Sequence, residues 1–156
     1  MRSNKVRLFT FIVICLLIGV LGSVATRSSL ASWYEGLKKP PFNPPNWIFA
    51  PVWTFLYVLM AIAGWRIWNI DVSKREGLRF LFAIQLFLNG VWPFLFFGLR
   101  NPAVVLVGIV LLWIFIFILA LGAWRVEKVT GFLLIPYLTW VSFAVYLNGV
   151  LWWLNR

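Results

Sequence analysis

Gln85, Asn89 and Trp92 are spaced i, i+4 and i+7, which places two amides and an indole on one face of a helix. Pro136, Trp140, Ala144 and Asn148 follow one another at i+4 steps, and Trp53 and Tyr57 are again i, i+4, with Thr54 beside them. Pro136 can kink its helix by removing a backbone hydrogen bond, and Ala144 leaves space one turn from a large indole. Three stretches thus each offer aromatic and polar groups on one stripe. Brought together, they would line an apolar cavity with a few convergent polar atoms, as small-molecule sites do. The ligand such a cavity takes is flat and mostly apolar, stacking on indoles and presenting hydrogen-bond acceptors to Asn89, Trp53 or Trp140. A second reading stands beside it: the amides of Gln85 and Asn89 can serve as interhelical hydrogen-bonding glue.

Other chemistry is excluded by composition. The chain has no histidine, the usual general base and commonest metal ligand. Its single cysteine, Cys15, lies inside an apolar run, so neither an internal disulfide nor a multi-thiolate metal site can form. No catalytic residue, metal or required cofactor is expected. The formal charge of +10 comes from 14 Lys and Arg against 4 Asp and Glu. Those bases are scattered between apolar runs, so they read as a membrane-topology signal and not as a nucleic-acid footprint. No run has a central charge or anything resembling a selectivity filter, which argues against ion conduction.

The elements that must position these groups follow from hydropathy. Of 156 residues, 63% are hydrophobic, and the mean hydropathy is +0.92. Apolar runs fall at 8–26, 47–69, 79–99, 103–124 and 131–154, each long enough to cross a hydrocarbon core that needs ~20 residues. The expected fold is all-α: a polytopic bundle of five transmembrane helices forming one membrane domain over 1–156. Asn101-Pro102 and the stretch from Lys128 to Gly131 mark two boundaries, and the charged cluster from Asp71 to Arg79 a third. Residues 27–46 are too polar and proline-rich to span, yet carry Trp33, Tyr34, Leu37 and Phe42, so they read as a loop built to pack, a lid. Arg27, Lys38 and Lys39 on that side could meet a ligand carboxylate, or simply snorkel at the interface.

Nine Lys and Arg on the N-terminal side against five on the other place the N-terminus in the cytoplasm. The first run reads as a retained helix. Its rival is a signal peptide, although an apolar stretch of ~18 residues exceeds the usual ~7–15. Of eleven tryptophans, the aromatic belt accounts for Trp65, Trp68, Trp124, Trp152 and Trp153. Trp92 and Trp140 lie near the middle of their helices and need another reason, and Trp113 reads as packing or lipid-facing. Ala83, Gly90 and Gly98 lie close to one stripe and could allow close helix contact, either between subunits or within one.

The stretch Trp33-Tyr34-Glu35-Gly36-Leu37-Lys38-Lys39-Pro40, followed by Asn43-Pro44-Pro45, Trp47, Phe49 and Val52-Trp53-Thr54-Phe55-Leu56-Tyr57, resembles the translocator protein and tryptophan-rich sensory protein family. Gln85-Leu86-Phe87-Leu88-Asn89 with Trp92 and Phe96-Phe97 resembles its third helix, and Pro136-Tyr137 with Trp140, Ala144, Leu147 and Asn148 its fifth. The resemblance implies a prokaryotic membrane protein, usually a homodimer, whose first loop caps a pocket among the helices. It implies porphyrins such as protoporphyrin IX and haem as ligands, for tetrapyrrole sensing, transport or scavenging, and synthetic isoquinoline carboxamides or benzodiazepines. It places Trp53, Tyr57, Asn89, Trp92, Trp140 and Ala144 in the pocket, and Trp33, Lys39, Pro44 and Pro45 in the lid. Two alternatives come with it: light- and oxygen-dependent porphyrin breakdown, and transport of hydrophobic small molecules. Pro41 and Phe42 stand where many bacterial members have further tryptophans, which argues against lid photochemistry. After Tyr146 the first base is Arg156, too far for the sterol motif of animal members, which argues against sterol binding.

Overall fold

The computed structural model describes residues 2–29 and 35–156, with the backbone alone for 2–3, 25–29, 72 and 74–76; Trp33 and Tyr34 lie outside the described residues. Five helices follow in order: α1 Arg2–Ser29, α2 Asn46–Asn69, α3 Val72–Leu99, α4 Pro102–Val126 and α5 Lys128–Leu154. Each contains a stretch long and apolar enough to cross a bilayer. Large apolar side chains face outward along all of them, among them Phe9, Leu17, Phe55, Phe87, Val107 and Phe132, as lipid requires and water would penalise.

The helices form a ring in the order α1, α2, α5, α4, α3, closed by the α1–α3 contact, with α2 and α3 touching more sparsely across it. The core is a continuous set of buried side chains from every helix, including Cys15, Met60, Phe82, Ile116 and Tyr137. The N-terminal end of α1 meets the C-terminal end of α2 through Arg7 Nη1 to Asn69 Oδ1 (2.9 Å) and Trp65 Nε1 to Asn4 Oδ1 (2.8 Å). The lid therefore lies at the other end, with the N-terminus of α2 and the C-termini of α3 and α5.

Local chemistry sets the boundaries. Arg100 takes a left-handed conformation (φ 49°) that ends α3, and the Asn101 side chain accepts from the N–H groups of Ala103 and Val104, with Pro102 in the first turn of α4. Elsewhere the sequence expectation needs correction. The charged stretch expected to separate the second and third spans is itself helical, so α3 starts at Val72 and not at 79. Charge forbids crossing hydrocarbon but not helicity, and a helix of 28 residues, about 42 Å long, outreaches a core of ~30 Å. Between α4 and α5 only Glu127 leaves the helix, in an extended conformation. Gly131, expected to break the chain, is helical and lets α5 approach α4: a Cβ there would lie 2.7 Å from Trp124 Cα.

Ala83, Gly90 and Gly98 do not share one open surface. Ala83 and Gly98 are exposed, whereas Gly90 faces α1, with Ile18 at 3.3 Å from a would-be Cβ.

Candidate functional site

At the lid end the ring does not close on itself. α2, α3 and α5 surround a cavity of about 310 Å³, to which α1 contributes Gly22 and Ser23, α4 Leu112, and the lid Asn43. Trp53, Tyr57, Asn89, Trp92, Trp140 and Ala144 all line it, so the three stripes read from spacing converge on one space. The reason is geometric. Side chains at i and i+4 project from one helix face, and each of the three faces carries too much polarity to be turned toward lipid.

Tyr57 and Asn89 of the wall belong to a connected chain of hydrogen bonds that continues behind it to Tyr137 and Gln85, which do not line the cavity. Tyr57 Oη donates to Asn89 Oδ1 (2.5 Å), Asn89 Nδ2 donates to Tyr137 Oη (2.7 Å), and Tyr137 Oη donates to Gln85 Oε1 (3.0 Å). All four side chains are buried. This tie runs from α2 through α3 to α5, so both ends of the Asn89 amide are engaged by protein. The glue reading of Gln85 and Asn89 thus describes their hydrogen bonds, and Asn89 is at the same time cavity wall. Sequence spacing passed over Tyr137 as a polar partner, because its hydroxyl works across helices and not along one.

Donors without protein partners lie elsewhere in the wall. The indole nitrogens of Trp92 and Trp140 are both buried, and neither has a hydrogen-bond partner among the described residues. Aromatic contacts hold these rings: Trp92 lies 5.2 Å from Phe96, and Trp140 is edge-on to Phe49 at 5.9 Å and 5.8 Å from Phe143. Trp53 packs on Tyr57 (5.7 Å) and edge-on to Tyr137 (6.4 Å). Phe143 was not singled out by spacing, and its signal, one turn after Trp140, is shared with any lipid-facing aromatic.

Gly19 of α1 supports the site from behind. A Cβ there would fall 2.7 Å from the Tyr57 ring, so only glycine lets that ring sit where its hydroxyl reaches Asn89. Asn148 lines the cavity but turns its amide back to the Ala144 carbonyl (2.8 Å), and Thr54 does the same toward Ala50 from an exposed position off the wall. Pro136 is also exposed and off the wall.

Lys39, Pro44 and Pro45, expected in the lid, lie in the stretch between α1 and α2 and do not line the cavity, whereas their neighbours Asn43 and Asn46 do. Asn43 N–H donates to the Pro40 carbonyl (3.1 Å), and Pro45 is the N-cap of α2 with φ −57°. Trp113, read as packing or lipid-facing, donates from Nε1 to Ser142 Oγ on α5 (2.7 Å) and stacks on Phe117. Trp68, read as belt, is partly buried near the end of α2 and packs edge-on to Phe11 and Phe82.

Fold and site together define an integral, multi-pass membrane protein whose five-helix bundle holds a largely apolar, aromatic-walled cavity under a proline-rich strap. The match to known sequences narrows this class. Residues 11–154 fit the TspO/MBR family, and the chain belongs to that family. It is 44% identical to the tryptophan-rich protein TspO of Chlorobaculum tepidum over 99% of both chains. It is 39% identical to the translocator protein of Bos taurus, over 88% of this chain and 83% of that one. It is 34% identical to the tryptophan-rich sensory protein of Cereibacter sphaeroides, over 95% and 90%.

Proposed function

We propose that this protein binds porphyrins, protoporphyrin IX and haem foremost, and related flat hydrophobic ligands in the cavity between α2, α3 and α5, as a receptor or sensor of tetrapyrroles. The observation that carries the reading is the pair of buried, unpartnered indole N–H groups of Trp92 and Trp140 in a largely apolar wall. Each is a donor removed from water without compensation, a loss of about 1–3 kcal/mol that a ligand acceptor would recover. A carboxylate, carbonyl or ring nitrogen on a flat ligand supplies such an acceptor, while the faces of Trp53, Trp140 and Phe49 supply stacking surface. The names of the relatives, one a sensory protein and one a translocator, agree with a ligand-responsive membrane protein.

At about 310 Å³ the cavity is at the lower end of small-molecule sites and suits a ligand of two or three fused rings as it stands. A porphyrin is bulkier and needs the strap side to yield. We place the N-terminal side in the cytoplasm, on the asymmetry of Lys and Arg, and the cavity mouth on the opposite face. Titration of the purified protein in nanodiscs with protoporphyrin IX is expected to quench tryptophan fluorescence saturably, near one ligand per protomer. Linear, unsaturable quenching equal to that of free tryptophan refutes the reading.

A further inference from the structure

Gln85 lies behind the cavity wall, fully buried, and uses only half of its amide. Its Oε1 accepts from Tyr137 Oη, whereas Nε2 has no hydrogen-bond partner among the described residues. The chain from Tyr57 through Asn89 and Tyr137 to Gln85 therefore has a direction: every member donates toward Gln85, whose own N–H donors are left unused. At the other end Tyr57, which lines the cavity, spends its hydroxyl proton on Asn89, so its oxygen has only a lone pair to offer a ligand.

The same heavy atoms support the opposite direction. An amide keeps nearly the same outline after a half-turn that exchanges its oxygen and nitrogen, and a hydroxyl proton rotates to suit its partners. With Asn89 and Gln85 both turned, Gln85 donates to Tyr137, Tyr137 to Asn89 and Asn89 to Tyr57, over the same separations of 3.0, 2.7 and 2.5 Å. Three bonds are kept either way. Each direction strands one polar atom of Gln85, Nε2 in the first and Oε1 in the second. The difference falls on Tyr57, whose proton is released in the second direction to meet a ligand. No ring has to move, which matters because Tyr57 is wedged between Gly19 and Trp53, and Tyr137 is edge-on to Trp53.

We propose that Gln85 sets the hydrogen-bonding sense of the cavity: the chain runs toward Gln85 for a ligand that donates an N–H to Tyr57, and away from it for a ligand that offers a ring nitrogen or carbonyl. Gln85 is a positioning residue that touches no ligand. It can end the chain in either sense because an amide carries both an acceptor and a donor. A ligand tips the balance by the single bond it makes, since the two directions differ by little else. The cavity thereby takes flat polycycles of both kinds, and a free-base porphyrin, with pyrrole N–H groups and bare ring nitrogens, finds a partner in either sense. That such ligands enter here rests on the function proposed above; the reversible chain is a property of the protein alone.

Acridine and carbazole separate the two senses. Both are three fused rings, the first with a ring-nitrogen acceptor and the second with an N–H donor. Gln85→Leu removes the terminal acceptor, so the Tyr137 hydroxyl turns to Asn89, Asn89 donates to Tyr57, and the Tyr57 proton is held ready for a ligand. In nanodiscs, acridine is expected to bind Gln85→Leu about threefold to tenfold tighter than the parent, and carbazole weaker by a similar factor. A general loosening of the bundle would move both affinities the same way. In a Tyr137→Phe background, which cuts the chain, Gln85→Leu is expected to leave the ratio of the two affinities unchanged. If Gln85→Leu melts well below the parent, Gln85→Met, of similar length but without an amide, is read in its place. Affinities that move together or not at all, a ratio that still shifts without Tyr137, or no saturable binding of either tricycle overturns the proposal. Saturable quenching by protoporphyrin IX beside such a result leaves the proposed function standing. Opposite shifts uphold the reversible chain, and protoporphyrin IX that then fails to quench saturably sinks only the proposed ligand.

Discussion

Trp68 and Trp140 occupy opposite halves of the bundle. In the N-terminal half, Trp68 lies edge-on to Phe11 (5.1 Å) and Phe82 (5.8 Å), with the Arg79 guanidinium 4.9 Å above its ring. Gly64 fits beneath this cluster so closely that a Cβ would fall 2.5 Å from Phe82. At the end of the same half, Arg66 of α2 pairs with Glu127, which also accepts from Thr130 Oγ1, tying α2 to the α4–α5 junction. In the lid half, Trp140 has aromatic neighbours on some sides and open space on another, and its indole nitrogen is unpartnered. Tryptophan thus serves as filler where a close helix approach, as at Gly64, leaves no space, and as a binding surface where its neighbours, Ala144 among them, leave room beside it. The residue type does not decide which; the partners across the helix do.

If the N-terminal half is dry packing, Gly64→Val should be the most damaging single change, destabilising by about 1–3 kcal/mol or more, because the side chain must displace Phe82 and Phe11 from a filled space. Thermal unfolding in detergent measures this, and a variant that melts like the parent would show slack where the comparison says there is none. Asn89→Ala should come next. It leaves Tyr57 and Tyr137 without their shared partner, for a loss of about 1–2 kcal/mol, and it should weaken ligand binding as well, since Tyr57 is cavity wall. A change confined to stability would separate the glue role from the site.

Trp140→Phe should reverse the pattern. The ring contacts largely survive, so melting should move little, while affinity for protoporphyrin IX falls about threefold to tenfold for one lost donor. The same substitution at Trp68 should leave affinity unchanged, which fluorescence titration of the two variants compares directly. The smallest effect is electrostatic. Burial would raise the Glu127 carboxyl, but the hydrogen bonds from Arg66 and Thr130 and the charge of Arg66 outweigh it and hold the group below the usual carboxylate range. A depressed carboxylate stabilises the fold above its unfolded value and loses that contribution as pH falls through its folded value. Unfolding scans should therefore show a small acid-side loss of stability, below about 1 kcal/mol for a partly exposed pair, that Glu127→Gln abolishes.

Much of this was legible in the chain. Membrane helices must satisfy their backbone internally and face lipid with apolar side chains, so the five spans stand out as five runs, and Asn101-Pro102 marks its boundary by capping chemistry alone. Spacing put Trp53 with Tyr57, Asn89 with Trp92 and Trp140 with Ala144, because i+3 and i+4 neighbours share a helix face whatever the fold. Spacing could not show that Asn89 meets Tyr137, that Gly19 of α1 seats Tyr57, or that Asn155 bonds the Lys38 backbone from 117 residues away. Nor could charge locate the start of α3, since it reports where hydrocarbon ends and not where a helix does. The sequence by itself determined the spans, their polar stripes and the proline-rich strap, all of which depend on local periodicity and on solvent. Only the tertiary structure decided which tryptophans are filled in and which face a cavity, and which residues meet the strap, because those depend on shapes meeting across helices that no single helix encodes.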